Sequence, residues 1–401
     1  MKSGLDILLT KRRKALKGKR IAVMANETSV TRHLAPILDA LAKVGDAEVA
    51  YLYGLMNGLR GESPGYQDEH HVDEITGLAV YPSYSLSLPD AKDVMREHRI
   101  DAVVFDAQNA GARYFEHKFH MCFAMEAAAQ ADVEVVILDR PNPLGGLRIE
   151  GEVLDRDFRS VVGYFEIPNV HGMTHGELAR MFNDEHNVGC DLTVLEMEGW
   201  RRSMWYEETG LFWTGISPNL PKVDSVFVYA GTCLFEGTNL SVGRGTTSPF
   251  EVIGAPWLDA KALAAEMNNR KLPGVKFGEA HFVPSLGPSA YMRRFVKRVC
   301  RGVRIYVTNR KTFSPVRTAV HLLDVTKTAS GEKFKWTPFP EGFRPMEFGI
   351  EKEVLYIDTL AGSDGLRNGL TSGIAPDEIV GAWEAGLEEF RERRRQYLLY
   401  R

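Results

Sequence analysis

The densest group of side chains able to do chemistry lies between Leu234 and Phe250, in the stretch LFEGTNLSVGRGTTSPF. Glu236, Asn239, Arg244 and Thr246 supply a carboxylate, an amide, a guanidinium and a hydroxyl, the polar types on which a sugar site draws. A guanidinium such as that of Arg244 can grip a carboxylate through two parallel N–H donors. The interleaved glycines permit tight turns and close approach of a ligand. The same composition also suits a structured loop that satisfies its own backbone.

A second cluster is His171-Gly172-Met173-Thr174-His175, followed by Glu177. Two histidines four apart on one helix face could share a metal. The intervening residues lack the glutamate of a metalloprotease helix, and Gly172 places His171 ahead of the helix. Thr174 and Glu177 have the spacing of a capping box, so a capped helix start is expected and no metal centre. His171 stays a candidate polar lining residue. His117 and His120, one turn apart, are expected to be exposed or satisfied on a helix face and not to be a ligand pair.

The elements that must position these groups alternate along the first half. Arg20–Ala25, Glu48–Tyr53, Asp101–Phe105, Val133–Leu138 and Leu192–Leu195 are short apolar runs expected as buried strands. Helical spacing separates them at 33–44, 91–98, 115–131 and 177–186. Apolar strands alternating with helices make a parallel sheet covered on both faces. Such sheets hold ligands at the carboxyl ends of their strands. Those ends are polar here: Asn26-Glu27-Thr28, Gly54 to Gly61, Asp106 to Asn109 and Asp139 to Pro143. The second half is less regular. Ser217 to Pro221 reads as a boundary loop, giving domains 1–218 and 219–401. Strand-like pieces follow at 225–229, 303–307 and 319–323. A closing helix over 377–400 carries Ile379, Trp383, Leu387 and Phe390 on one face.

Bulk properties exclude several classes. With 401 residues, 44% hydrophobic and 25% charged, the chain has the make-up of a two-domain soluble globular protein. A net charge of −4 provides no general field for nucleic acid. The basic runs at 11–14 and 391–395 suit solvated helix faces. No segment has the apolar length to span a bilayer, so no membrane partner is expected. Residues 1–9 do not resemble a secretory signal. The four cysteines form no CxxC pair and suit a reducing, cytoplasmic setting. The first strand runs into Asn26-Glu27-Thr28-Ser29 without the glycines a dinucleotide site needs, which disfavours a nucleotide-using enzyme.

With these pieces in order, the chain resembles the exo-β-N-acetylmuramidase (NamZ-like) glycosidase family, formerly a domain of unknown function. The resemblance rests on Glu236-Gly237-Thr238-Asn239, Gly243-Arg244-Gly245-Thr246 and Pro249-Phe250. It extends through Asp106 to Tyr114, Leu138 to Pro143, His171 to Thr174, Ser217-Pro218-Asn219 and Gly254 to Trp257. It implies an α/β fold: a Rossmann-like parallel-sheet domain, a smaller α/β domain and a cleft between them. It also implies removal of N-acetylmuramic acid from peptidoglycan fragments, without a cofactor. That sugar carries a carboxylate, which makes Arg60, Arg113, Arg140 and Arg244 candidate ligand-binding residues.

The departures from the family pattern concern acids. The family's P-E-H-G-I-R-G stands here as Leu55-Met56-Asn57-Gly58-Leu59-Arg60-Gly61, its S-E-G-R-G as Ser241-Val242-Gly243-Arg244-Gly245, and its D-x-Q-D ends in Asn109. One acid is gained, because the family's N-Q-T stands here as Asn26-Glu27-Thr28. Glycoside hydrolysis ordinarily uses two carboxyl groups. Glu27 is therefore the expected general acid, with Glu236, Asp106 or Glu62 as its partner. Asn26, Arg60, Gln108, Arg113, Arg140, His171, Asn239, Arg244 and Thr246 would position a muramic-acid-containing or related glycoside. The rival expectation is a sugar-binding or sensing homologue that kept the polar cleft and lost its acids.

Overall fold

The computed structural model describes residues 1–62, 70–83, 86–285, 293–339 and 354–401. The first part is built from α1 (Gly4–Thr10), β1 (Arg20–Ala25), α2 (Ile37–Val44), β2 (Glu48–Gly54), β3 (His71–Val72) and β4 (Ala79–Pro82). It continues through α3 (Leu88–Glu97), β5 (Ala102–Asp106), α4 (His117–Ala131), β6 (Glu134–Leu138), β7 (Glu150–Val153), β8 (Pro168–Val170), α5 (His175–Glu185) and β9 (Leu192–Leu195). Seven strands form one sheet in the order β3-β4-β2-β1-β5-β6-β9, parallel except for β3 against β4.

Side chains alternate across a strand, so β1 serves two cores at once. Ile21, Val23 and Ala25 join Leu5, Leu8, Ile37 and Leu41 beneath α1 and α2. Ala22 and Met24 join a larger core with α3, α4 and α5 that continues unbroken into the second part of the chain. The helix expected from His33 begins only at Ile37. Thr31 Oγ1 accepts the backbone N–H groups of His33 and Ala35, Leu34 adopts φ 63°, and Pro36 stands at the helix start.

The second part contains α6 (Val223–Thr232), β10 (Val252–Ala255), α7 (Ala260–Asn269), β11 (Val275–Phe282), β12 (Cys300–Val307), α8 (Pro315–Ser330), α9 (Tyr356–Ala361), α10 (Gly365–Thr371), α11 (Pro376–Gly381) and α12 (Glu384–Arg394). Its three strands pair antiparallel in the order β10-β12-β11. Two sequence expectations are corrected. Residues 225–229 and 319–323 are not strands; they lie inside α6 and α8. Both helices are sandwiched in the core, and a short apolar run cannot distinguish a buried helix from a buried strand. The closing helix is broken into α11 and α12, yet Ile379, Trp383, Leu387 and Phe390 are all buried as expected.

Beside the shared core, polar contacts bind the two parts. The Arg113 guanidinium donates to the carbonyls of Glu152, Ile167 and Leu360. Glu150 accepts from Ser314 Oγ (2.8 Å) and Val316 N (3.2 Å) at the start of α8. The chain's last residues return to the first sheet. There Tyr400 Oη donates to Asp139 (2.7 Å), Leu399 N to Glu177 (2.9 Å), and Arg394 to the carbonyls of His171 and Gly172.

Helices α6 and α8 approach so closely at Gly231 that a Cβ there would lie 2.0 Å from the Pro315 carbonyl oxygen. Gly231→Ala is expected to destabilise the protein by about 1–3 kcal/mol through overpacking. At Gly386 of α12 the nearest atom to an added Cβ is 3.7 Å away. Gly386→Ala should therefore be neutral or gain about 0.5–1 kcal/mol of helix propensity. Urea midpoints of the two variants check this, and equal midpoints would contradict it.

Candidate active site

The carboxyl edge of the sheet is assembled from four turns that follow β1, β2, β5 and β6. The β1 turn is held almost completely by its own polar groups. Asn26 Oδ1 accepts from Thr28 N (3.0 Å) and Thr28 Oγ1 (2.6 Å), and Asn26 Nδ2 donates to His117 Nε2 (3.2 Å). His117 Nδ1 faces the Gln108 carbonyl at 3.2 Å, which fixes the tautomer: Nδ1 donates and Nε2 accepts. Ser29 Oγ donates to the Asp106 carbonyl, and Gln108 N donates to Thr28 Oγ1.

Glu27 is the exception in this turn. Its Oε2 is buried and has no hydrogen-bond partner. Burial pushes its carboxyl up from 4.5 to about 7; its own backbone N–H opposes the shift and the Glu62 carboxylate adds to it. The β2 turn lies alongside. A Cβ at Gly61 would stand 3.7 Å from Cβ, Cγ and Cδ of Glu27, so a glycine here leaves the carboxyl its space. Glu62 accepts from Leu59 N (3.2 Å) and Arg60 N (2.6 Å). Two carboxyl groups thus share this edge, one with an oxygen unpartnered and one with both oxygens engaged by the backbone.

The other two expected catalytic acids are already paired. Asp106 is fully buried and takes Arg140 Nε (2.5 Å) and Nη2 (2.8 Å) on its two oxygens; Arg140 Nη2 also donates to the Val30 carbonyl. Glu236 takes Arg244 Nε at 2.6 Å and stands in the second part of the chain. Aromatic rings join the two regions: Phe115 lies 4.6 Å from His117 and 6.3 Å from Tyr229, and Tyr229 lies 4.8 Å from Phe250, over which Arg244 is stacked at 5.0 Å.

The expected ligand-binding residues divide by what they hold. Arg60 is clamped to Asp73 at 2.6 and 3.1 Å, and that guanidinium holds the Asp73 carboxyl down at about 2. Arg113 is spent on the three carbonyls between the two parts. Asn239 closes a loop, donating to the Lys333 carbonyl and accepting from Lys335 N. Thr246 Oγ1 donates to the Gly243 carbonyl and accepts from Ser248 N, while the residue also lines an open groove with Asn219, Phe282 and Ser285. Gln108 Nε2 donates to the carbonyls of Asn109 and Pro141, leaving its buried Oε1 without a partner. His171 accepts from Met173 N on Nδ1, so its ring hydrogen is on Nε2, which is buried without an acceptor. The capping box of Thr174 and Glu177 forms as expected. Among the described residues, no three His, Cys, Asp or Glu side chains gather as a metal site.

Comparison with known proteins bears on this geometry. The pattern of "Exo-beta-N-acetylmuramidase NamZ, N-terminal" matches residues 21–224, and that of its C-terminal counterpart matches residues 227–400. The chain belongs to the NamZ family. It is similar to the peptidoglycan beta-N-acetylmuramidase NamZ of Bacillus subtilis (strain 168), with 37% identity over 401 residues, covering 100% of this chain and 91% of that protein. Crystal structures of two DUF1343 family proteins from Bacteroides fragilis NCTC 9343 superpose with TM-scores of 0.85 and 0.75. They are 31% and 30% identical to it, and each match covers 100% of this chain and 99% of the other.

Within this NamZ-family fold, the four neutral departures meet different surroundings. Val242 is buried in the main core and Met56 packs against it. Asn57 adopts φ 71° with its Nδ2 unpartnered, and Asn109 accepts from Gly111 N at 2.7 Å. Two residues that sequence reading gave no ligand role now border the site. His117 locks Asn26, and its signal was only its place at a helix start. Arg294, with Nη2 at 3.4 Å from the Glu236 carbonyl, lies in an irregular stretch that carries no pattern.

The raised carboxyl of Glu27 has a consequence for stability. The folded chain keeps this proton up to about pH 7, whereas the unfolded chain releases it near 4.5. The folded state therefore binds more protons between these values. The contribution is complete below 4.5 and is lost as pH rises through 7. Allowing for partial exposure, wild type should lose about 1–2 kcal/mol relative to Glu27→Gln between pH 5 and 8. Parallel urea titrations of both proteins at the two pH values check this; a constant difference would place Glu27 in open solvent.

Proposed function

We propose that this chain is a glycoside hydrolase of the exo-β-N-acetylmuramidase type, acting on peptidoglycan-derived amino sugars, with Glu27 as its general acid and Glu62 as the partner carboxylate. The observation that carries the assignment of the acid is the Glu27 carboxyl at the carboxyl end of β1, its Oε2 buried without a partner among the described residues and its pKa held up to about 7. The reaction class is supported by membership of the NamZ family and by 37% identity to a peptidoglycan beta-N-acetylmuramidase.

In this reading Glu27 enters the reaction protonated, because burial disfavours its charged form near neutral pH. Its proton passes to the glycosidic oxygen as the bond from that oxygen to the anomeric carbon breaks. The Glu62 carboxylate faces the positive charge that develops on the sugar ring. Water then supplies the hydroxyl of the released sugar, and its second proton returns to Glu27. The Asp106–Arg140 pair and the His117–Asn26 bond hold the turn without contacting the bond being cut. Gln108 Oε1 and His171 Nε2, which have no partner among the described residues, and the terminal nitrogens of Arg244 are offered to the ligand. The substrate is a small carbohydrate, with no nucleic-acid partner. No helix among the described residues is long and apolar enough to cross a membrane. A cytoplasmic location is supported by four cysteines that are all buried and free.

The test is release of N-acetylmuramic acid from a muramic-acid-capped disaccharide. Glu27→Gln should lower kcat by about 10²–10⁴-fold, the usual contribution of general acid catalysis. Its pH profile should lose the limb near 7. Turnover by Glu27→Gln within a few-fold of wild type would remove Glu27 from the mechanism. Sugar binding without turnover in wild type would instead identify a binding homologue.

A further inference from the structure

The turn that carries Glu27 borders a crevice at the carboxyl edge of the sheet. Thr28, the next residue, lines it with Thr31 and Leu34 from the same turn. Gln108 and Arg140 enter from the turns after β5 and β6, and Phe212 from the segment ahead of the second part. The floor is polar and carries no net charge. Gln108 is buried, donates through Nε2 to two carbonyls and leaves Oε1 without a partner among the described residues. Asp106 neutralises the Arg140 guanidinium. Arg32, the other charged lining residue, is exposed.

The rim is apolar and open. Phe212 is 61% exposed and Leu34 46%. Both are held where they stand. Tyr206 Oη donates to the Phe212 carbonyl at 3.0 Å, which fixes the backbone that presents the ring. Leu34 adopts φ 63°, a costly conformation for a residue with a Cβ, and its N–H is tied to the Thr31 carbonyl at 2.9 Å. Exposed apolar side chains beside a polar crevice mark a ligand-binding surface. A pyranose ring matches this one. Its C–H face packs on an aromatic ring and an aliphatic side chain, while its hydroxyl and amide groups meet the polar floor. A floor without net charge suits a neutral ring.

We propose that Phe212 and Leu34 form the rim of a subsite that holds the neutral sugar on the leaving side of the scissile bond. The proposal rests on the glycosidase reading for its ligand, but part of its test needs no turnover. Two substrates are compared: a muramic-acid-capped disaccharide with N-acetylglucosamine as its second sugar, and methyl N-acetylmuramide, whose leaving group is too small to touch the rim. Phe212→Ala should lower the ratio of their kcat/KM values about three- to tenfold, the worth of one aromatic contact. Phe212→Trp should restore the ratio. Both variants change an exposed side chain, so the fold is not at stake.

Saturation-transfer NMR with N-acetylglucosamine reads weak binding directly. The ring protons of the sugar should receive saturation from wild type and lose most of it in Phe212→Ala. An unchanged kcat/KM ratio in Phe212→Ala, no transfer from wild type, or undiminished transfer from Phe212→Ala would each overturn the proposal. Hydrolysis of neither substrate, with Phe212-dependent transfer intact, would overturn the glycosidase reading and leave this subsite standing.

Discussion

The buried pair of Asp106 and Arg140 governs the edge of the sheet where chemistry is expected. Asp106 ends β5 and Arg140 follows β6, so the pair joins the exits of two neighbouring strands. Through the Val30 carbonyl, Arg140 also reaches the turn after β1, and Ser29 reaches back to the Asp106 carbonyl. Removing one partner of such a pair typically costs about 3–5 kcal/mol, because the other charge is stranded. The turn that carries Glu27 is therefore rigid for reasons that do not involve Glu27. A side chain left unpaired inside such a frame keeps its geometry without spending its own hydrogen bonds on holding it.

The same logic runs through the second part of the chain. Glu236 is one of the three acids that sequence reading offered as partner to Glu27, and in the structure it pairs with Arg244. Asn239 and Thr246 tie the glycine-rich loop to itself and to residues 333–335. These residues keep a loop of many glycines in one shape, a task that its composition makes demanding. Most of the motif's polar groups thus hold the loop, while the terminal nitrogens of Arg244 make no hydrogen bond among the described residues.

Much of the first sheet was legible in the sequence because its signals are local. Strands β1, β2, β5, β6 and β9 appear as short apolar runs, and their polar ends stand out at once. The capping box at Thr174 and Glu177 needs only four consecutive residues. The failures are equally physical. Residues 225–229 of α6 and 319–323 of α8 are buried on every side, so these apolar runs carry no amphipathic period. The division of the candidate site was not legible either. Whether Arg113, Arg140 or Asn239 is free depends on partners from about 30 to nearly 250 positions away, and no local pattern encodes them. The gain of Glu27 and loss of an acid at Met56 were visible, but only packing tells that Gly61 leaves room for the former.

The return of the chain's end to the first sheet bears on how the molecule is made. Asp139 is buried, and its carboxyl is pushed up to about 7 by burial, with Tyr400, Gly176 and Thr174 all donating to it. Glu177 is likewise shared between Arg202 and Leu399. During synthesis the sheet emerges some 200 residues before the segment that completes these bonds. A nascent chain therefore carries two carboxyl groups at its sheet edge that await their partners until the segment holding Leu399 and Tyr400 has been made.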